Sequence, residues 1–150
     1  MIFIITIVIF QITSFFSNKW TIKNTDSGDI YFGLLNTCIK PKDSSELCSP
    51  IKTNNNLNKD INRVIIILKI LSILSIFMLI FGLFFYTNKI VVNILLIISI
   101  IFSLLVVCIW KQNKNLTYID TTNGYSYYLY VVSVLLSMVT LYFSNFSLKI

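Results

Sequence analysis

The chain has 150 residues, of which 56% are hydrophobic and 12% charged, and its mean hydropathy is +0.81. A soluble domain of this size cannot bury so much apolar surface, and four glycines and two prolines exclude a collagen-like fibre, so lipid is the expected solvent. The net charge of +6 comes from basic residues scattered among apolar runs, without the stripe or aromatic platform of a nucleic-acid binder, and the absence of histidine removes the commonest general base and metal ligand.

Residues 1–16 carry no charge. They read as an uncleaved span, because no basic segment precedes the run and no A-x-A-like site closes it; the alternative is the apolar part of a cleaved signal peptide. Residues 17–63 form a long polar loop. Within it Trp20-Thr21-Ile22 and Ile30-Tyr31-Phe32 are β-branched and aromatic runs bounded by Asn, Asp, Ser and Gly, which predicts strands joined by a turn at Ser27-Gly28. Lys40-Pro41-Lys42-Asp43 reads as a turn between Cys38 and Cys48, and Asn54-Asn55-Asn56 as a low-complexity connector.

Residues 64–86 carry only Lys69, residues 90–110 no charge, and residues 125–144 none. Each is about 20 residues or longer, enough at 1.5 Å per residue to cross about 30 Å of hydrocarbon. A turn at 87–89, a second loop at 111–124 and a tail at 145–150 complete the chain. Four spans bring both termini to one side and both loops to the other.

Basic residues flanking the spans are commoner in the two loops than in the turn and tail, which taken alone would place the loops in the cytoplasm. The cysteine pair argues the reverse. Cys38 and Cys48 lie ten apart in a polar segment without metal-ligand neighbours, so a disulfide is expected, and disulfides persist in oxidising compartments. Asn115-Leu116-Thr117 is a glycosylation sequon on the same side, whereas Asn145-Phe146-Ser147 would need the opposite topology and reads as chance in an Asn-rich chain. The expectation is therefore a plasma-membrane protein with both termini cytoplasmic.

Trp20 and Trp110 are expected in an aromatic belt, with residues 125–130 forming a tyrosine girdle. Arg63 and Lys69 are expected at the outer interface, Lys69 by snorkelling. Cys108 reads as a buried apolar filler with a free thiol, and Leu148-Lys149-Ile150 has a form that some PDZ grooves accept.

Trp20, then Gly33-Leu34-Leu35-Asn36-Thr37-Cys38, then Cys48, resembles the first-loop signature of the peripheral myelin protein, epithelial membrane protein and claudin superfamily: a Trp, then G-L-W-x-x-C, then a second Cys. The order of spans and loops is similar over essentially the whole chain. Gly124-Tyr125-Ser126-Tyr127-Tyr128-Leu129 resembles the aromatic opening of the fourth span in that superfamily and in calcium-channel gamma subunits, and Arg63 resembles the Arg found at the head of the second span in claudins. Leu35 departs from the pattern, standing where the family has its second Trp.

The resemblance implies an all-α membrane protein with a small β part: a left-handed four-transmembrane-helix bundle topped by an extracellular antiparallel sheet, with an edge strand from residues 116–120. It implies a non-enzymatic protein that organises cell contact or membrane packing by self-association through its loops, as a homo-oligomer or with a membrane-protein partner. The alternative is an auxiliary, gamma-like subunit of a channel or receptor. No cofactor, metal, nucleic acid or small-molecule substrate is expected. A membrane thiol oxidoreductase would need a C-x-x-C that the chain lacks.

Overall fold

The structure is a computed structural model that describes residues 2–42, 45–50, 59–117 and 122–146, without the side chains of 59–62, 113–117 and 145–146. Its elements are α1 (Ile2–Phe16), β1 (Thr21–Thr25), β2 (Gly28–Phe32), β3 (Asn36–Pro41), β4 (Leu47–Pro50), α2 (Lys59–Phe84), α3 (Lys89–Thr117), β5 (Thr122–Asn123) and α4 (Tyr125–Phe146).

The helices form a ring in which α1 packs on α2 and α4, and α3 packs on α2 and α4. Three of them hold apolar segments long enough to cross a bilayer: Arg63–Phe84, Lys89–Gln112 and Tyr125–Ser144. The 15 residues of α1 reach only about 22 Å. The tight connection after Phe84 forces α2 and α3 antiparallel, and Asn88 caps α3 by accepting from Val91 N through Oδ1 at 3.4 Å.

The bundle encloses a layer of polar residues between apolar clusters and is apolar outside. Gln11, Ser14, Ser72, Ser75, Ser99, Ser103, Ser133 and Ser137 are buried, while Ile9, Ile66, Ile70, Phe77, Ile97, Ile101, Leu135 and Val139 are exposed. In water this arrangement would expose apolar surface at large cost; in lipid it sets apolar groups against acyl chains and satisfies polar groups between helices. Gln11 of α1 is the hub. Its Nε2 donates to Ser103 Oγ at 3.0 Å and its Oε1 accepts from Ser75 Oγ at 3.0 Å, while Ser75 Oγ also lies 2.8 Å from Ser99 Oγ. Three helices are tied by bonds worth about 0.6 kcal/mol each, and the small serines let the backbones approach closely. The Tyr130 hydroxyl and Ser72 Oγ lie buried beside this layer without hydrogen bonds of ordinary geometry.

Above one end of the ring sits a five-stranded antiparallel sheet in the order β4-β3-β2-β1-β5. Thr25 pairs with Gly28, so the turn residues are Asp26 and Ser27, one position before the expected Ser27-Gly28. The turn expected over residues 40–43 starts later, since Lys40 and Pro41 belong to β3 and pair with Asp29 and Gly28; Lys42 turns, and Asp43 lies outside the described residues.

Other boundaries differ from expectation. Residues 111–117, predicted as loop, continue α3, because the loss of apolarity after Trp110 does not end a helix when Lys, Gln and Asn follow. At about 44 Å, α3 overshoots a hydrocarbon core of about 30 Å. Residues 116 and 117 are therefore helical, and the second loop supplies its edge strand at Thr122–Asn123, where Thr21 pairs with Asn123. Helix α2 likewise begins at Lys59, ahead of the expected residue 64. The connector at 54–56 and the tail at 148–150 lie outside the described residues.

Candidate functional site

Trp20 joins the sheet to the bundle. It follows α1 by a short bend, precedes β1, and has no solvent exposure. Its indole N–H donates to Ser14 O at 2.7 Å, which supplies a partner for a carbonyl freed at the end of α1. Its ring lies 5.1 Å from Trp110, 5.3 Å from Tyr130 and 6.3 Å from Tyr127, in tilted and edge-on geometries that aromatic quadrupoles favour. Leu68 of α2, Val106 of α3 and Val134 of α4 complete the cluster. The backbone locks it further: Trp20 N donates to Phe32 O at 3.0 Å, and Gly124 N donates to Trp20 O at 2.9 Å.

The belt expected of these aromatics is thus only partly present. Trp110 is turned inward with 7% of its surface exposed, and Tyr127 and Tyr130 are buried, while Tyr125 and Tyr128 face outward. The division follows the helical turn, since residues 127 and 130 share a face that 125 and 128 do not. Cys108, expected to be buried, is exposed on α3 as a free thiol.

The Gly33-Leu34-Leu35 segment explains itself by packing. A Cβ on Gly33 would stand 2.7 Å from both Asn18 Cα and Ser17 O, and Gly33 N donates to Asn36 O at 2.9 Å, so this corner closes against the end of α1 only without a side chain. Leu34 is fully buried in the Trp20 cluster and Leu35 packs against it, half-buried. Leu35 therefore fills the seam between sheet and helices by aliphatic contact.

Gly124 makes the matching contact from the second loop. Its ideal Cβ would collide with Lys19 O, which already accepts from Ser126 N. Gly124→Ala is expected to lower stability by about 1–3 kcal/mol, since neither backbone can yield without breaking these bonds. Thermal unfolding in detergent should show a lower midpoint, while Gly82→Ala, whose Cβ meets open space on helix α2, should not lower it.

Cys38 and Cys48 pair directly across β3 and β4 and form a disulfide. Glu46 lies close to both sulfurs, but cysteines bonded to each other offer no thiolate, so a single carboxylate remains and this cluster cannot hold a metal. Lys19 Nζ sits 4.7 Å from the Tyr31 ring centroid and 5.8 Å from that of Tyr125. Burial, with Asp29 beside it, pushes the Tyr31 phenol above its usual range, so it stays protonated and donates to Asp29 Oδ2 at 3.4 Å.

Arg63 is exposed and Lys69 half-buried, on the half of α2 nearer the sheet. The backbone of Asn115 is helical, and its side chain lies outside the described residues.

A sequence model of the PMP-22/EMP/MP20/Claudin family matches residues 1–147. The chain belongs to this family. No curated protein shows significant similarity to it. Family membership and three long apolar helices make it an integral membrane protein in contact with the bilayer. The Trp20 anchor, the Gly33 corner and the disulfide then account physically for the resemblance in the first loop of this claudin-family chain. What sequence reading missed was Gln11 and the serines. Their spacing at 72 and 75, 99 and 103, and 133 and 137 is the i, i+3 or i+4 signal of a shared helix face.

Proposed function

We propose that this claudin-family protein is a non-enzymatic four-span organiser of membrane contact, which self-associates through the sheet. The supporting observation is the β4 edge. All four residues of β4 are exposed, no strand among the described residues pairs with its outer side, and Leu47 stands across from Ile39 with both apolar side chains in solvent. An unpaired edge flanked by exposed aliphatic groups is a template for a strand from another chain. Helix α1 serves as the first span. The loops face the extracellular side of the plasma membrane and both termini are cytoplasmic, an orientation supported by the disulfide and by the Asn115 sequon at the same end.

Cross-linking in native membranes tests the reading. The wild-type chain should give dimers and higher oligomers, and Leu47→Glu should reduce them several-fold while the Cys38–Cys48 link still forms. A monomer cross-linked to one larger subunit would overturn self-association and favour the auxiliary-subunit reading.

A further inference from the structure

At the end of the bundle opposite the sheet, a cleft of 210 Å³ opens between the start of α1, the start of α3 and the last turns of α4. Its floor is apolar, built by Ile4, Val92 and Leu96, and its rim carries Tyr86, Lys89 and Ser144. A second cavity of 300 Å³, walled by Val139 and Phe143, shares Phe3 and Thr140 with the first and presents only apolar surface. A polar rim thus adjoins an apolar slot on the outside of the helices.

Two features decide what fits. Lys89 is exposed and has no ion-pair partner among the described residues, and none of the six acidic residues, at positions 26, 29, 43, 46, 60 and 120, is in the sequence segments that line the cleft. Lys89 also begins the apolar segment of α3, just after that of α2 ends at Phe84, which sets its ammonium at the depth of lipid headgroups. A ligand complementary to this arrangement carries negative charge at headgroup level and hydrocarbon beneath it.

We infer that the Lys89 cleft binds an anionic phospholipid, with the phosphate against Lys89 and the Tyr86 hydroxyl and one acyl chain along Phe3, Val139 and Phe143; Ser144 Oγ, which donates to Asn93 Oδ1 at 2.7 Å, forms part of the wall. A free phosphate is a poor alternative, because one ammonium and one hydroxyl at an open rim do not enclose an anion without the tail. The site is independent of the sheet edge and of self-association.

The test uses the full chain in nanodiscs of dioleoylphosphatidylcholine containing a minority of dioleoylphosphatidylglycerol, followed by native mass spectrometry of the released protein. Wild-type protein should retain phosphatidylglycerol over phosphatidylcholine by about fivefold, the ratio equivalent to about 1 kcal/mol for one lysine at a membrane surface. Lys89→Met should abolish that preference, and Lys111→Met, which removes an exposed cation near the sheet end, should preserve it. Val139→Trp, which fills the slot, should reduce phosphatidylglycerol retention, and excess soluble glycerophosphate should fail to displace the lipid. Helical circular dichroism confirms that each variant is folded. Equal preference in the Lys89 and Lys111 variants, no preference in wild type, or displacement by glycerophosphate would overturn the assignment.

Discussion

Trp20→Ala is expected to destabilise the protein by about 3–5 kcal/mol, the range for removing a buried large aromatic side chain. The side chain contacts α3 and α4 and donates to the last turn of α1, so its loss opens a cavity where sheet and bundle meet and orphans Ser14 O. A tryptophan in an interfacial belt would behave differently, because its truncation leaves no cavity. Thermal and denaturant unfolding in detergent should show a large fall in midpoint, and near-ultraviolet dichroism should lose the signal of the Trp20–Trp110 pair. Trp20→Phe should recover part of the stability, since it restores ring packing but not the 2.7 Å hydrogen bond. A wild-type midpoint for Trp20→Ala would refute the anchoring role.

Removal of the disulfide by Cys38→Ser with Cys48→Ser is the second large effect, about 3 kcal/mol on the chain-entropy model for a loop of ten-residue separation. The loss should be local. β4 has four exposed residues and no buried side chain, so it is held by its ladder to β3 and by the covalent link, whereas β1 and β2 are tied to the Trp20 cluster. Amide exchange in β4 should quicken by roughly a hundredfold, the ratio corresponding to that free energy, with the helices unchanged. Exchange at wild-type rates would contradict this account. A peptide map of unreduced protein from cells should recover one Cys38–Cys48 link and a free Cys108; both loop cysteines recovered as thiols would refute the outward orientation of the sheet.

Much of this architecture is legible in the linear sequence because charge exclusion is a strong signal in lipid. The apolar runs, with no charge beyond Lys69, mark α2, α3 and α4, and the β-branched clusters mark β1 and β2, because each is a local property of composition. The cysteine pair was legible for the same reason, since it stands alone in a polar segment. The end of α3 was not, because leaving the apolar run and leaving the helix are different events, and seven polar-segment residues remain helical past Trp110.

Sequence alone thus determined that the chain lives in a membrane, that it has a paired-cysteine sheet between its first two apolar runs, and which residues carry the family signature. Only the tertiary structure decided which way each helix faces. In a soluble helix the apolar stripe points to the core, but here both the lipid side and much of the interior accept apolar groups, so hydrophobic periodicity carries no phase. The inward turn of Trp110, Tyr127 and Tyr130, the outward turn of Cys108, and the meeting of Gln11 with serines from two other helices are set by long-range contacts between α1, α2, α3 and α4. The cleft at Lys89 has the same origin: its walls come from opposite ends of the chain and exist as a site only once the helices have closed into a ring.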